Sequence, residues 1–199
     1  MTGRNFFALI SRMKYINRWA LMRNVHDENL SEHSLDVAAT AHALAVIGNK
    51  RFKKCVNAER AALLGLYHDA PEILTGDLPT PIKYHSERVR SAYKTVENSA
   101  CETILEMLPD DMKDVYKPFF FPEEGDEELW KYVKAADKIS ALIKCIEEKK
   151  AGNSEFTSAY KSTLDIIRKM ELPEADCFIN EFLPAFELDL DELKSNSFS

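Results

Sequence analysis

The pair His68-Asp69 closes an otherwise apolar segment, Ala61-Ala62-Leu63-Leu64-Gly65-Leu66-Tyr67. An imidazole beside a carboxylate is costly to bury unless the two are paired or hold a metal. Adjacent helical positions are about 100° apart, so near a helix end both side chains can turn toward one ion. His33 stands early in another helical segment, on the same side as Val37 and Leu44. Asp137 shares a stripe with Trp130, Val133 and Ala141, and the small Ala135 and Ala136 beside it admit a close neighbour. Two histidines and two aspartates on three helices would make a mixed nitrogen–oxygen site for a divalent transition metal. Glu72, four residues after His68, is placed for proton transfer at that site. Arg18-Trp19 pairs a phosphate-binding fork with a flat stacking surface.

Each of these residues has a plainer reading. His33 can be a core histidine bonded to a backbone carbonyl. Asp137 can be a surface carboxylate paired with Lys134 or Lys138, and Arg18-Trp19 a surface arginine next to a core tryptophan. His42 serves as a control: nine steps of about 100° from His33 place it on the opposite side of the helix, away from any shared metal.

The elements that must carry these groups read as helices. There are 6 glycines and 8 prolines, and no run of alternating apolar and polar residues signals a strand. Helices are expected over about Asn5–Tyr15, with Phe6, Leu9, Ile10 and Met13 on one face, and from Ser31 as N-cap to about Ile47, stopped by Gly48-Asn49. Asn57 caps a third, ending near Asp69 because Pro71 disfavours a helical Ala70. Thr75-Gly76-Asp77-Leu78-Pro79-Thr80-Pro81 reads as a turn-rich loop. Further helices are expected over Ser86–Leu108, in a short piece before Pro118, and over Glu127–Lys150, Ser154–Glu171 and Glu174–Leu183. The polar tail after Asp189 is expected to fray. The whole, residues 1–199, reads as one all-α domain.

Composition narrows the function. The chain of 199 residues is 45% hydrophobic and 30% charged, which suits a soluble globular fold. Its 26 basic and 33 acidic residues give a net charge of −7, so it has no general attraction for a nucleic-acid polymer or an anionic membrane. No apolar stretch is long enough to span a bilayer, and the N-terminus lacks the pattern of a secretory signal. The cysteines Cys55, Cys101, Cys145 and Cys177 are far apart, as expected for reduced thiols in a cytoplasmic protein. The acidic run Glu123–Glu128 lacks the spacing of a calcium loop and reads as a solvated face.

His33, His68-Asp69 and Asp137, in that order, resemble the H…HD…D signature of the HD-domain phosphohydrolases. Within that superfamily the chain is similar to the bacterial 5′-deoxynucleotidase family. Ile16-Asn17-Arg18-Trp19, Ser31-Glu32-His33-Ser34-Leu35, Tyr67-His68-Asp69-Ala70, Leu74-Thr75-Gly76-Asp77-Leu78-Pro79-Thr80-Pro81 and Val133-Lys134-Ala135-Ala136-Asp137 carry the likeness, which spans nearly the whole chain. The resemblance implies an all-α HD fold, a homodimer, and hydrolysis of deoxyribonucleoside 5′-monophosphates to deoxynucleoside and phosphate. It implies a divalent metal, with cobalt, manganese or copper supporting activity. His33, His68, Asp69 and Asp137 would be the ligands, with His33, Asp69 and Asp137 also meeting the substrate. Glu72 would be the catalytic carboxylate and Arg18 would orient the phosphate. Trp19 with Asp77, Leu78, Pro79 and Thr80 would hold the nucleoside, Asp77 accepting from the 3′-hydroxyl and Trp19 crowding a ribose 2′-hydroxyl. The competing readings are an HD-type cyclic phosphodiesterase or nucleotide pyrophosphohydrolase and, in a different class, a non-catalytic helical interaction module.

Overall fold

The computed structural model describes residues 4–83 and 85–195, without the side chains of Thr80, Pro81 and Ser195. Among the described residues every regular element is a helix, as expected. Helix α1, Phe6–Ile10, tightens into a 3-10 turn over Ser11–Tyr15, so the single helix expected there is divided. Phe6 and Met13 are nevertheless buried on its inner side. The following segment is irregular and is closed by an isolated bridge between Asn17 and Asn29.

Helix α2 spans Leu30–Arg51, and its cap corrects the sequence reading. Asn29, not Ser31, is the N-cap. Its Oδ1 accepts from the backbone N–H groups of Ser31 and Glu32, while the Glu32 carboxylate accepts from the N–H of Asn29. The earlier start buries Leu30 in the first turn. Nor does the helix stop at Gly48-Asn49. Gly48 stays helical beneath Tyr132 and Glu174, where a Cβ would lie 2.9 Å from the Tyr132 hydroxyl.

Helix α3 spans Ala58–Tyr67 and is capped by Asn57 as expected, but ends two residues short of Asp69. It lies against α2 at backbone distance, since a Cβ on Gly65 would sit 3.0 Å from Ala38 Cα. Two short helices, α4 (Glu72–Thr75) and α5 (Thr80–Lys83), absorb the ends of the loop expected over Thr75–Pro81. Only Gly76–Pro79 remains as loop, with Gly76 at φ +74°.

Helix α6 (Glu87–Leu105) begins at the Ser86 cap and ends earlier than Leu108. Helix α7 (Asp110–Phe120) runs through Pro118 rather than stopping before it. Proline lacks one N–H, but burial of Pro118, Phe119 and Phe120 in this last turn outweighs that loss. Helix α8 (Glu127–Lys150) matches its expected bounds, and α9 (Thr157–Lys169) follows a 3-10 turn over Ser154–Phe156. Helix α10 (Pro173–Glu181) and a 3-10 turn over Leu183–Glu187 precede α11 (Leu190–Ser195). That last helix occupies the first part of the tail expected to fray after Asp189; the rest, 196–199, lies outside the described residues. Asp189 accepts from the N–H groups of Asp191 and Glu192, and Glu192 accepts from the N–H of Asp189.

The core is built where α2, α3 and α8 meet, around Val37, Leu44, Leu64, Ile139 and Leu142. Each such side chain contributes about 1.5–3 kcal/mol relative to leaving it in water. All four cysteines are free thiols, with Cys101 and Cys145 buried.

Candidate active site

The three central helices deliver one catalytic-type side chain each to the same place. His33, in the second turn of α2, is fully buried, whereas His42 is exposed on the far side of the helix, as the spacing predicts. His68 follows the last residue of α3, and its ring centroid lies 5.3 Å from that of His33. Asp69 points its Oδ2 at both rings, 3.4 Å from His33 Nε2 and 3.0 Å from His68 Nε2. Asp137 enters from α8, with Oδ1 3.3 Å from His33 Nε2 and Oδ2 2.8 Å from the Lys138 ammonium.

Hydrogen bonding on the far side of each ring decides what the near side can do. His68 Nδ1 lies 2.7 Å from the Gly65 carbonyl, which can only accept, so Nδ1 carries the proton and Nε2 of the neutral ring is a lone pair. His33 Nδ1 meets the Ser140 hydroxyl at 3.0 Å, a contact that can leave its Nε2 equally free. Nε2 of both rings is buried and without a hydrogen bond of good geometry. One donor atom each from His33, His68 and Asp69 fall within 4.8 Å of one another. Two orphaned imidazole nitrogens converging on a carboxylate fit a divalent transition metal.

In the metal-free protein the rings and carboxylates stabilise one another's charge. Burial opposes ionisation of Asp69, but His68 and His33 outweigh it and hold the carboxyl well below its usual range. Burial likewise opposes ionisation of Asp137, and His33 and Lys138 overcome it. His33 is raised, because Asp137 and Asp69 together exceed the opposing effects of burial and of Arg18.

Glu72 behaves in the opposite way. Pro71 ends the turn after His68-Asp69 and serves as N-cap of α4, so the chain turns helical again at Glu72. The Glu72 carboxyl is buried, its Oε2 has no hydrogen-bond partner, and its Oε1 lies 3.8 Å from Lys83 Nζ. Burial, with the neighbouring charges of Asp69 and Asp77, pushes it up to about 9. It is therefore a protonated acid at neutral pH. Glu72, His68, Asp69 and Asp137 share the wall of a cavity of about 740 Å³ that Tyr67 and Trp130 also line.

Arg18 and Trp19 flank the cluster. Arg18 Nη2 is 4.0 Å from Asp137 Oδ1, and Nη1 donates to Glu28 Oε2 at 3.0 Å. Burial works against its charge, but Glu28, Asp137, Asp69 and Asp77 outweigh burial and keep it a cation. The Trp19 ring packs 5.3 Å from Phe156, and its indole N–H donates to Glu28 Oε2 at 2.6 Å. Asp77, Leu78 and Pro79 are half-buried in the loop between α4 and α5. Asp77 is raised, by burial first, and it feels Arg18, Asp69 and Lys83. The side chain of Thr80 lies outside the described residues.

Two contributors were silent in the sequence. Glu28 sits in the irregular segment before α2, where no periodicity marks a face. Ser140 is a small hydroxyl on an apolar helix face, and only the ring it touches gives it meaning.

The family described as 5′-deoxynucleotidase YfbR-like matches residues 5–186. A 5′-deoxynucleotidase of Vibrio vulnificus is 50% identical over 194 residues, covering 97% of this chain and all of that protein. One from Klebsiella pneumoniae is 47% identical over 197 residues, 99% of each chain. Among solved structures, an HD-domain phosphohydrolase of Listeria innocua superposes with a TM-score of 0.79 at 23% identity, over 96% of this chain and 92% of that one. The cyanophage S-2L HD phosphohydrolase DatZ, bound to dA and one catalytic Zn2+ ion, superposes with a TM-score of 0.60 at 17% identity, over 90% and 95%. At those identities the two structures speak for the fold.

Proposed function

The chain belongs to the 5′-deoxynucleotidase YfbR-like family and is a 5′-deoxynucleotidase, and we propose that the cluster of His33, His68, Asp69 and Asp137 is where it cleaves its substrate. The reaction is hydrolysis of a 2′-deoxyribonucleoside 5′-monophosphate to deoxynucleoside and phosphate. The observation that carries this reading is the pair of buried, unpartnered ring nitrogens aimed at Asp69.

His33, His68, Asp69 and Asp137 would hold a divalent cation, which would supply positive charge to a phosphate oxygen and lower the pKa of a water. We take cobalt, manganese or copper as the supporting ions. The chain's own residues do the rest. Arg18, kept charged beside Asp137, orients the phosphate and meets the charge that develops on it. Glu72, whose carboxyl burial pushes up in the metal-free protein, gives its proton to the leaving 5′-oxygen or orients the water. Trp19 and the Asp77–Thr80 segment hold the nucleoside. Asp77 accepts from the 3′-hydroxyl, and Trp19 leaves a 2′-hydroxyl crowded or unpaired, which is how a tight pocket rejects ribose.

Family membership sets aside the cyclic phosphodiesterase, the pyrophosphohydrolase and the non-catalytic module. We further assign a cytoplasmic location, in keeping with four free thiols, and a homodimer. No helix of the described residues is long and apolar enough to cross a membrane.

The test is phosphate release from paired deoxyribo- and ribonucleoside 5′-monophosphates, using protein stripped of metal and resupplied with cobalt or manganese. Metal-dependent release from the deoxy member is the expected result. Equal release from both sugars would remove the role given to Trp19, and metal-independent release would remove the site.

A further inference from the structure

Arg18 and Trp19 are neighbours in the chain, yet their working groups are held by a third residue ten positions on. The Glu28 side chain is 10% exposed, and its single oxygen Oε2 accepts from Arg18 Nη1 at 3.0 Å and from Trp19 Nε1 at 2.6 Å. Its backbone carbonyl also accepts from the Arg18 N–H at 2.9 Å. The other carboxylate oxygen lies 3.9 Å from His33 Nδ1, so the same group borders the metal-site ring. Trp19 itself stands at φ +60°, a region that bulky residues avoid and that persists only when the surroundings hold it. Phe156 backs one side of the indole, and Glu28 fixes the end that carries the N–H.

We infer that Glu28 is a positioning residue that locks Arg18 and Trp19 into one recognition unit, coupling phosphate orientation to sugar selection. A rotation of Trp19 that opened room for a 2′-hydroxyl would break its bond to the oxygen that also anchors Arg18. A substrate that displaces the indole therefore also removes one of the restraints on the carboxylate that positions the guanidinium. This rests on the sugar-selecting role given above to Trp19.

The test compares kcat/KM for 2′-deoxyadenosine and adenosine 5′-monophosphate in Glu28→Ala, Glu28→Gln and Trp19→Ala. The ratio of the two values should fall about tenfold or more in Glu28→Ala. Glu28→Gln keeps an acceptor for the indole and should retain more of the ratio. A purely structural role for Glu28 would lower both substrates alike and leave the ratio unchanged, which would overturn the proposal. If Trp19→Ala collapses the ratio while Glu28→Ala preserves it, only the Glu28 inference falls. If Trp19→Ala preserves it, the reading of Trp19 falls and takes the inference with it. A second readout needs neither substrate nor metal. The chain has 2 tryptophans, so the Trp19 indole N–H resonance is the one lost in Trp19→Ala. It should move upfield in Glu28→Gln while that of Trp130 stays; an unmoved Trp19 resonance would refute the contact.

Discussion

Lys144 and Glu148 form an ion pair at 2.6 Å inside the protein, with side chains 3% and 0% exposed. The pair does more than neutralise itself. Glu148 accepts from the backbone N–H groups of Val25 and His26, and from the Asn153 side chain, while Lys144 donates to the His26 carbonyl. Helix α8, which carries Asp137, is thereby fastened to the segment that carries Arg18 and Trp19.

This fastening sets a pH dependence. Burial opposes the Glu148 charge, but Lys144 and the hydrogen bonds of Val25, Asn153 and His26 outweigh it and bring the carboxyl down to about 2. A carboxyl lowered in the folded state stabilises above its unfolded value, near 4.3, and loses that contribution as pH falls toward 2. Urea unfolding followed from pH 6 to pH 2 should lose roughly 2–3 kcal/mol from this group. Glu148→Ala should flatten that part of the curve and cost about 3–5 kcal/mol at pH 7, since it strands a buried ammonium.

Glu72 gives the reverse sign. Held at about 9 when folded, it keeps a proton that the unfolded chain releases near pH 4 to 5. In metal-stripped protein it therefore costs stability increasingly as pH rises from about 5 to about 9. Glu72→Gln should abolish that slope and raise stability at pH 8. The same variant should lower kcat by about 10²- to 10⁴-fold. A variant that is more stable yet inactive would separate the chemical role from a structural one.

Metal content tests the ligand set. His68→Ala should leave the protein folded and far below one bound ion per chain after dialysis, by elemental analysis. Ser140→Ala removes only the partner of His33 Nδ1 and should weaken metal affinity about 10- to 100-fold. Retention of full affinity in Ser140→Ala would show that the hydroxyl does not orient the ring.

Gly65→Ala adds a carbon 3.0 Å from Ala38 Cα and 3.1 Å from the Val37 carbonyl oxygen, both backbone atoms. The helices must separate to admit it. A cost of about 1–3 kcal/mol in thermal or urea unfolding is expected, together with weaker metal binding than in the parent protein.

The convergence of His33, His68, Asp69 and Asp137 was legible because each is a polar exception in an apolar helical pattern, and His42 marked what a non-participating position looks like. The acid Glu72 was legible from its spacing to His68. Its elevated protonation was not, because that comes from burial beside Asp69 and Asp77, a tertiary effect. Asn29 and Ser31 are both good caps by type; Glu32 completes a capping box with Asn29, and the burial of Leu30 goes with that earlier start. Lys144 and Glu148 are not singled out in the sequence, since nothing local says that residues 23–26 will fold across them. Pro118 was taken for a stop because local rules cannot weigh the burial of Phe119 and Phe120.

The close contact of Gly65 with Ala38 has a consequence for evolution of the chemistry. His33 hangs from α2 and His68 caps the end of α3, and the two helices touch backbone to backbone, so the distance between the ring nitrogens depends on interhelical spacing. Discrimination among ions of different radius then becomes a trait of the hydrophobic interior. If the proposed ligands hold a metal, a lineage could change which ion it favours through a methyl group at residue 65, without altering any of them.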